Sequence, residues 1–281
     1  MAALDLDAKR DRLIGLIRGF GSCAVAMSAG VDSTVVAKAA QLALGHNAVA
    51  VTGVSPSLAA GEIEEARRLA ALIGIRHELI ETAEFDNPAY VQNAPDRCYH
   101  CKTELYTHLG RLAERLGVAV AVNGANADDA TDYRPGMQAA LEHHVRSPLA
   151  ECGLGKQDIR DLAAHWQLPV WDKPATPCLA SRIAYGEEVT PERLAMIDRA
   201  EQYLRSLGLR TVRVRLHAGL LARVEVPADA IAPLCDPESR AGLVATLTAL
   251  GFKFVTLDLA GFRSGSLNDL VSLEGKHSWE A

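Results

Sequence analysis

The chain has 281 residues, 49% of them hydrophobic and 23% charged, with a formal net charge of −6. That length suits one large domain or two modest ones, with the balance of an ordinary globular protein. The acidic sign argues against a nucleic-acid partner, since such affinity rests on Lys and Arg neutralising phosphates. No apolar run reaches bilayer-spanning length, so no membrane partner is expected. The charged start, Met1–Arg10, is unlike a signal peptide. The expected compartment is cytoplasmic, and its reducing chemistry argues against disulfides among the six cysteines.

Leu13, Ile14, Ile17 and Phe20 recur at helical spacing and predict an amphipathic helix within 4–20. Cys23–Met27 is a short apolar run, a buried-strand signal, which ends in the Ser/Gly stretch Ser28–Ser33 and is followed by a helix pattern over 33–44. Strand 48–54, helix 58–73, strand 75–81, helix 99–116 and strand 118–123 come next. Strands and helices alternating at these lengths make βαβ units and a parallel sheet. Residues 124–190 are less regular, with a helix expected near 155–165. From Pro191 the pattern becomes helix 192–206, strands 211–216 and 221–226, helix 237–250 and strand 252–258. The expected fold class is α/β: an open parallel-sheet domain over 1–186 and a small α+β domain over 187–281 for substrate and oligomer contacts. The polar tail after Arg263 is expected to be mobile.

Ser28-Ala29-Gly30-Val31-Asp32-Ser33 lies between an apolar strand and a helix. Backbone N–H groups at a helix N-terminus form an anion site. Gly30 lets the backbone come close to a phosphate, while Ser28 and Ser33 offer hydroxyls to its oxygens. Asp32 cannot bind phosphate by charge, so a role through Mg²⁺ is expected. The blander alternative is a turn with an ordinary helix cap. The Gly-Lys-Ser/Thr ending of a Walker A loop is missing. The spelling resembles the Ser-x-Gly-x-Asp-Ser loop of the PP-loop ATP pyrophosphatases, an adenine nucleotide alpha hydrolase-like fold. That resemblance implies cleavage of ATP between its α- and β-phosphates and adenylation of a substrate. Gly124–Asp129, after strand 118–123, resembles the same superfamily. There Asp128, and with a weaker claim Asp129, could hold Mg²⁺ at a strand's carboxyl end; a solvated acidic turn is the alternative.

Cys23 and Cys235 read as core filler and Cys152 as a loop residue. Cys178, in Lys173–Ile183, is the candidate nucleophile, with Lys173 and Arg182 near enough in sequence to favour its thiolate. A buried turn cysteine is the alternative. Arg213 and Arg215 alternate on one strand and share a face, where two guanidiniums suit a phosphate; a solvated strand face would have the same spacing. Cys98 and Cys101 have Cys-x-x-Cys spacing at a helix start. A redox dithiol, a zinc site completed by His100 or a distant Cys, and plain helix-start residues all fit that spacing. With Cys178 they make three thiolates, and thiolate sets suit iron–sulfur clusters.

Pro177-Cys178-Leu-Ala-Ser181-Arg182-Ile183, with Tyr185-Gly186, closely resembles the signature of the LarE sulfur transferases of nickel-pincer nucleotide synthesis. The resemblance extends to Asp132–Gly136, Val212–His217 and Ala222–Glu225 and covers nearly the whole chain. It implies adenylation of a carboxylate of pyridinium-3,5-biscarboxylic acid mononucleotide. It also implies that Cys178 is the sulfur donor, with Ser181, Arg182 and, less directly, Glu201 near the active site and Arg213 and Arg215 on a substrate phosphate. In the three-cysteine form, Cys98, Cys101 and Cys178 would carry a [4Fe-4S] cluster that supplies the sulfur instead. A homohexamer and partnership with other nickel-pincer biosynthesis proteins are implied by the same resemblance. The competing readings are a PP-loop tRNA thiolase, an amidotransferase-type synthetase with no need of Cys178, and a regulatory protein that binds ATP without cleaving it.

Overall fold

The computed structural model describes residues 6–131, 135–174, 176–263 and 267. The polar tail and Asp132, Tyr133 and Arg134 of the Asp132–Gly136 segment lie outside the described residues. The chain divides into two compact units. One comprises Met1–Ser55, Ala60–Glu84 and Cys98–Thr176; the other comprises Pro56–Ala59, Phe85–Arg97 and Pro177–Ala281.

In the first unit, α1 (Leu6–Arg18), β1 (Cys23–Ala26), α2 (Val31–Leu44), β2 (Ala48–Val54), α3 (Glu62–Ile73) and β3 (Arg76–Glu81) run in order. A short helix in the second unit, α4 (Pro88–Val91), intervenes before α5 (Arg97–Leu116) and β4 (Val120–Val122). The four strands form one parallel sheet in the order β3-β2-β1-β4. Alternation along the strands divides their side chains between two cores. Cys23, Val25, Ala48 and Ala50 pack with Leu13, Ile17, Val36 and Leu69. Ala24, Val49 and Val51 face the opposite way, against Tyr106, Leu109 and Ala139. Helices therefore cover both faces, as parallel sheets require. α6 (Pro135–Glu142), α7 (Pro148–Glu151) and α8 (Lys156–His165) complete this unit. Strand order reverses between β1 and β4, and crevices at such switch points are where open α/β sheets bind ligands.

In the second unit, α9 (Pro191–Ser206) starts at Thr190, whose side chain accepts from Arg193 N, with Pro191 in the first turn. β5 (Arg213–His217) and β6 (Leu221–Glu225) form an antiparallel hairpin, and β7 (Phe254–Leu257) adds to β6 in parallel. α10 (Ala228–Cys235) and α11 (Pro237–Ala249) lie between β6 and β7 in sequence. Val214, Leu216, Ala222 and Val224 are buried on one side of this sheet. Cys235 is exposed at the end of α10, not core filler as its apolar neighbours suggest. No helix among the described residues is long and apolar enough to cross a membrane.

Candidate active site

The loop between β1 and α2 holds itself open by its own polar groups. Ala29 takes a left-handed conformation (φ 57°) although it carries a Cβ, a strained choice of the kind found at functional loops. The Ser33 hydroxyl accepts from Ser28 N and donates to the Gly30 carbonyl, at 3.2 Å in each case. Thr34 Oγ1 donates to the same carbonyl at 2.7 Å. Gly30 caps α2 in extended conformation, and a Cβ there would meet only Ser28 Oγ, at 3.5 Å. The protein's own packing therefore does not demand glycine at 30, which leaves close approach of a ligand as the reason for it. Asp32 is half-buried in the first turn of α2.

The segment after β4 lies against this loop. A Cβ on Gly124 would stand 2.8 Å from Ser33 N and 3.1 Å from the Asp32 carbonyl carbon. Two asparagines shape the backbone on either side of Gly124-Ala125. The Asn123 side chain accepts from Ala125 N and from the Ser147 hydroxyl, and that of Asn126 accepts from Asp128 N. Asp128 is not simply a solvated acid: its carboxylate accepts from Lys156 N at 2.7 Å and so caps α8. The buried Asp129 accepts from Asn126 N. Lys173 belongs to the same unit, and its ammonium donates to the Ala29 carbonyl at 3.1 Å and lies 3.5 Å from Glu62. It was expected to favour the Cys178 thiolate; its bonds go to the phosphate-type loop instead.

In the second unit, Cys178 is half-buried and starts a single 3₁₀ turn, Leu179–Arg182. Its carbonyl accepts from Ser181 N (3.0 Å), Ser181 Oγ (2.8 Å) and Arg182 Nη1 (3.0 Å). Arg182 is 1% exposed and also reaches the Pro177 carbonyl. The second cation expected beside the thiol thus binds the backbone around it. Glu201, wholly buried, pairs with Arg182 at 3.0 Å and Arg205 at 2.6 Å and accepts from Val214 N. Losing one partner of such a buried pair is worth about 3–5 kcal/mol, so Glu201 fixes the arginine that holds the cysteine turn.

Arg213 and Arg215 are both buried, which removes the solvated-face reading. Arg215 donates to the Ser181 carbonyl and pairs with Glu225, at 3.0 Å each. Arg213 lies over the Phe262 ring at 5.2 Å. Burial, followed by the Arg182 charge, lowers its pKa to about 10, with Glu201 opposing and Arg215 and Arg205 adding to the fall. Buried guanidiniums that crowd one another favour an anion between them. Three residues of the clamp carry weaker signals in sequence. Asn93, wholly buried with φ 56°, donates to the carbonyls of Ile183, Ala184 and Glu187. Arg97 donates to the Ala180 carbonyl and to Asn93, and Glu225 anchors Arg215 and Arg223. Only the tolerance of Asn for left-handed backbone could have pointed to the first.

Cys98 is exposed and Cys101 half-buried, three residues apart in the first turns of α5, so they share a helix face. The donor chemistry suits iron or zinc. Among the described residues no three His, Cys, Asp or Glu side chains stand together as metal ligands. The pair is therefore a partial ligand set, and no chemical step is routed through a cluster.

An open parallel sheet with the Ser28–Ser33 loop at its switch point, accompanied by a small mixed sheet, is the architecture of the PP-loop ATP pyrophosphatases. No family model matches the chain. A protein of Lactiplantibacillus plantarum, pyridinium-3,5-bisthiocarboxylic acid mononucleotide synthase, is 37% identical over 95% of this chain and 96% of its own length. An uncharacterized protein of Synechocystis sp. is 48% identical over 95% of this chain and 99% of its own length. One from Methanocaldococcus jannaschii is 31% identical over 62% of this chain and 67% of its own. The chain belongs to the family of the pyridinium-3,5-bisthiocarboxylic acid mononucleotide synthases, the LarE family.

Proposed function

We propose that this protein is an ATP-dependent, AMP-forming sulfur transferase. It adenylates the carboxylates of pyridinium-3,5-biscarboxylic acid mononucleotide and converts them to thiocarboxylates for nickel-pincer cofactor synthesis. The observation that carries this reading is the near-full-length kinship with a synthase of that product. The loop open at Gly30 and the clamped Cys178 turn supply the two halves of the chemistry. The α2 N-terminus with Ser28 and Ser33 binds the phosphates of ATP. Asp32 would hold Mg²⁺, with Asp128 fixing the adjoining loop; the ion supplies charge neutralisation on those phosphates. The substrate carboxylate attacks the α-phosphorus and pyrophosphate leaves. The Cys178 thiolate then displaces AMP from the acyl adenylate to give a thioester. Loss of the Cα proton with rupture of the Cβ–S bond releases the thiocarboxylate and leaves dehydroalanine. Ser181 and Arg182 hold the turn, Glu201 holds Arg182, and Arg213 and Arg215 receive the substrate phosphate.

A second reading of the sulfur source is favoured by the Cys98/Cys101 pair on one helix face. In it these thiolates and Cys178 would hold a [4Fe-4S] cluster, which supplies sulfide when bound. The assembly proposed is a cytoplasmic homohexamer, built through residues 187–281, that passes its product to other nickel-pincer biosynthesis proteins. A tRNA thiolase would instead need an RNA-binding surface.

Anaerobically prepared protein should release pyrophosphate from ATP only when the pyridinium substrate is present; no release overturns the proposal. Cys178→Ala should keep that release while thiocarboxylate formation falls by at least about a hundredfold. Loss of one H₂S from the intact protein mass after turnover marks Cys178 as donor. Unchanged mass with bound iron and repeated turnover marks the cluster.

A further inference from the structure

One face of the small sheet carries more donors than its carboxylates use. Arg213, Arg215 and His217 alternate along β5 and share a side. The hairpin register sets Glu225 opposite Arg213, Arg223 opposite Arg215 and Leu221 opposite His217. Glu225 pairs with Arg215 at 3.0 Å and with Arg223 at 3.1 Å, and Asp258 pairs with Arg223 at 3.0 Å. Thr256, beside Arg223 on β7, turns its hydroxyl to the Ala222 carbonyl. With those bonds made, His217 Nε2 and Arg223 Nε are buried and meet no hydrogen-bond partner among the described residues.

Native proteins pair nearly all buried polar groups, and an unpaired donor is costly. Two such nitrogens on one sheet face point to a missing acceptor. Burial, followed by the charges of Arg223 and Arg215, holds the His217 pKa below its usual value, with Glu225 and Glu187 opposing. A neutral imidazole with its proton on Nε2 is a donor, as is the guanidinium Nε–H. An oxyanion accepts from both at once and adds charge assistance to each bond.

We propose that His217 and Arg223 are positioning residues that, beside Arg215, hold the phosphate group of the pyridinium mononucleotide. The identity of that ligand rests on the sulfur-transfer reading; the donor site itself does not. The phosphates of ATP are the other source of the same chemistry.

Inorganic phosphate is the probe, read on the full chain by titration calorimetry and by its effect on the thermal unfolding midpoint. His217→Leu should weaken phosphate binding about tenfold or more, as expected for a lost bond to a charged acceptor. Its midpoint without phosphate should be unchanged or higher, because an apolar group replaces an unpaired donor. His217→Gln, whose amide N–H can stand in for Nε2–H, should keep affinity within about threefold. Arg223→Lys keeps the charge but loses Nε–H, and should weaken binding as His217→Leu does. Wild-type affinity in His217→Leu, equal loss in the Gln and Leu variants, or failure of His217→Leu to fold each overturns the proposal. Displacement of phosphate by the mononucleotide, but not by its dephosphorylated nucleoside or by ATP, is expected. Displacement by ATP and not by the mononucleotide overturns the assignment. Absence of substrate-dependent pyrophosphate release sinks the sulfur-transfer reading alone, because the phosphate titration needs no turnover.

Discussion

Gly124 and Gly30 sit on the two loops that meet at the carboxyl ends of β1 and β4, yet their reasons for being glycine differ. At Gly124 a Cβ would press on backbone, 2.8 Å from Ser33 N, and backbone cannot give way cheaply. At Gly30 the nearest atom is a serine hydroxyl at 3.5 Å. Gly124→Ala should therefore destabilise by about 1–3 kcal/mol and shift the loop enough to cut pyrophosphate release about tenfold or more. Gly30→Ala should leave the urea midpoint nearly unchanged and weaken ATP binding. Equal losses of stability in the two variants would contradict this division. The residue types at the candidate site were legible in sequence: Ser28, Ser33, Asp32 and Cys178 stand where their motifs put them. The bonds made by Lys173 and Arg182 were not. Proximity in sequence suggested both would favour the thiolate, whereas one reaches Ala29 and the other the carbonyls of Pro177 and Cys178.

At the scale of elements, periodicity located the long helices and the strands to within a few residues. Helix 58–73 begins instead at Glu62, because Gly61 before it is left-handed (φ 84°). The four-residue helices α4 and α7 escaped notice because so short a piece has no period to read. The β2–β3 pairing brings His77 to 2.9 Å from Thr52 Oγ1, whose hydroxyl lies 2.7 Å from the Met27 carbonyl. Burial, followed by the Arg67 charge, holds the His77 pKa below its usual 6.5, with Glu78 opposing. Protonation then favours the unfolded chain. The stability contributed is full above about pH 6.5 and is lost as pH falls through the depressed folded value. Urea midpoints of the wild type should fall between about pH 7 and pH 5. His77→Gln should flatten part of that fall, leaving the share due to His217, which is lowered in the same direction. An unchanged slope in His77→Gln would mean that this imidazole does not titrate in the transition.

At the scale of the molecule, each compact unit carries one half of the proposed chemistry, and ligand protection should respect that division. In hydrogen exchange, ATP should protect residues 23–44 and 123–129, and the pyridinium mononucleotide residues 178–183 and 213–225. Protection of the second set by ATP alone would oppose the assignment of substrate phosphate to Arg213 and Arg215. The amino-acid sequence by itself determined the α/β class, the Ser28–Ser33 loop, the cysteine in its Pro-rich turn and the alternating arginines, because each is a local pattern written in neighbouring residues. Only the tertiary structure decided where the charges are used. Lys173 meets Ala29 144 residues away, Arg215 meets Ser181 34 residues away, and Asp128 caps a helix 28 residues on. Long polar side chains choose partners by distance in space, and burial makes leaving one unpaired costly. Periodicity and spacing encode neither quantity. For that reason the ATP loop could be read from its letters, while the clamp that holds Cys178 and the two unpaired donors beside Arg215 came to light only in the folded chain.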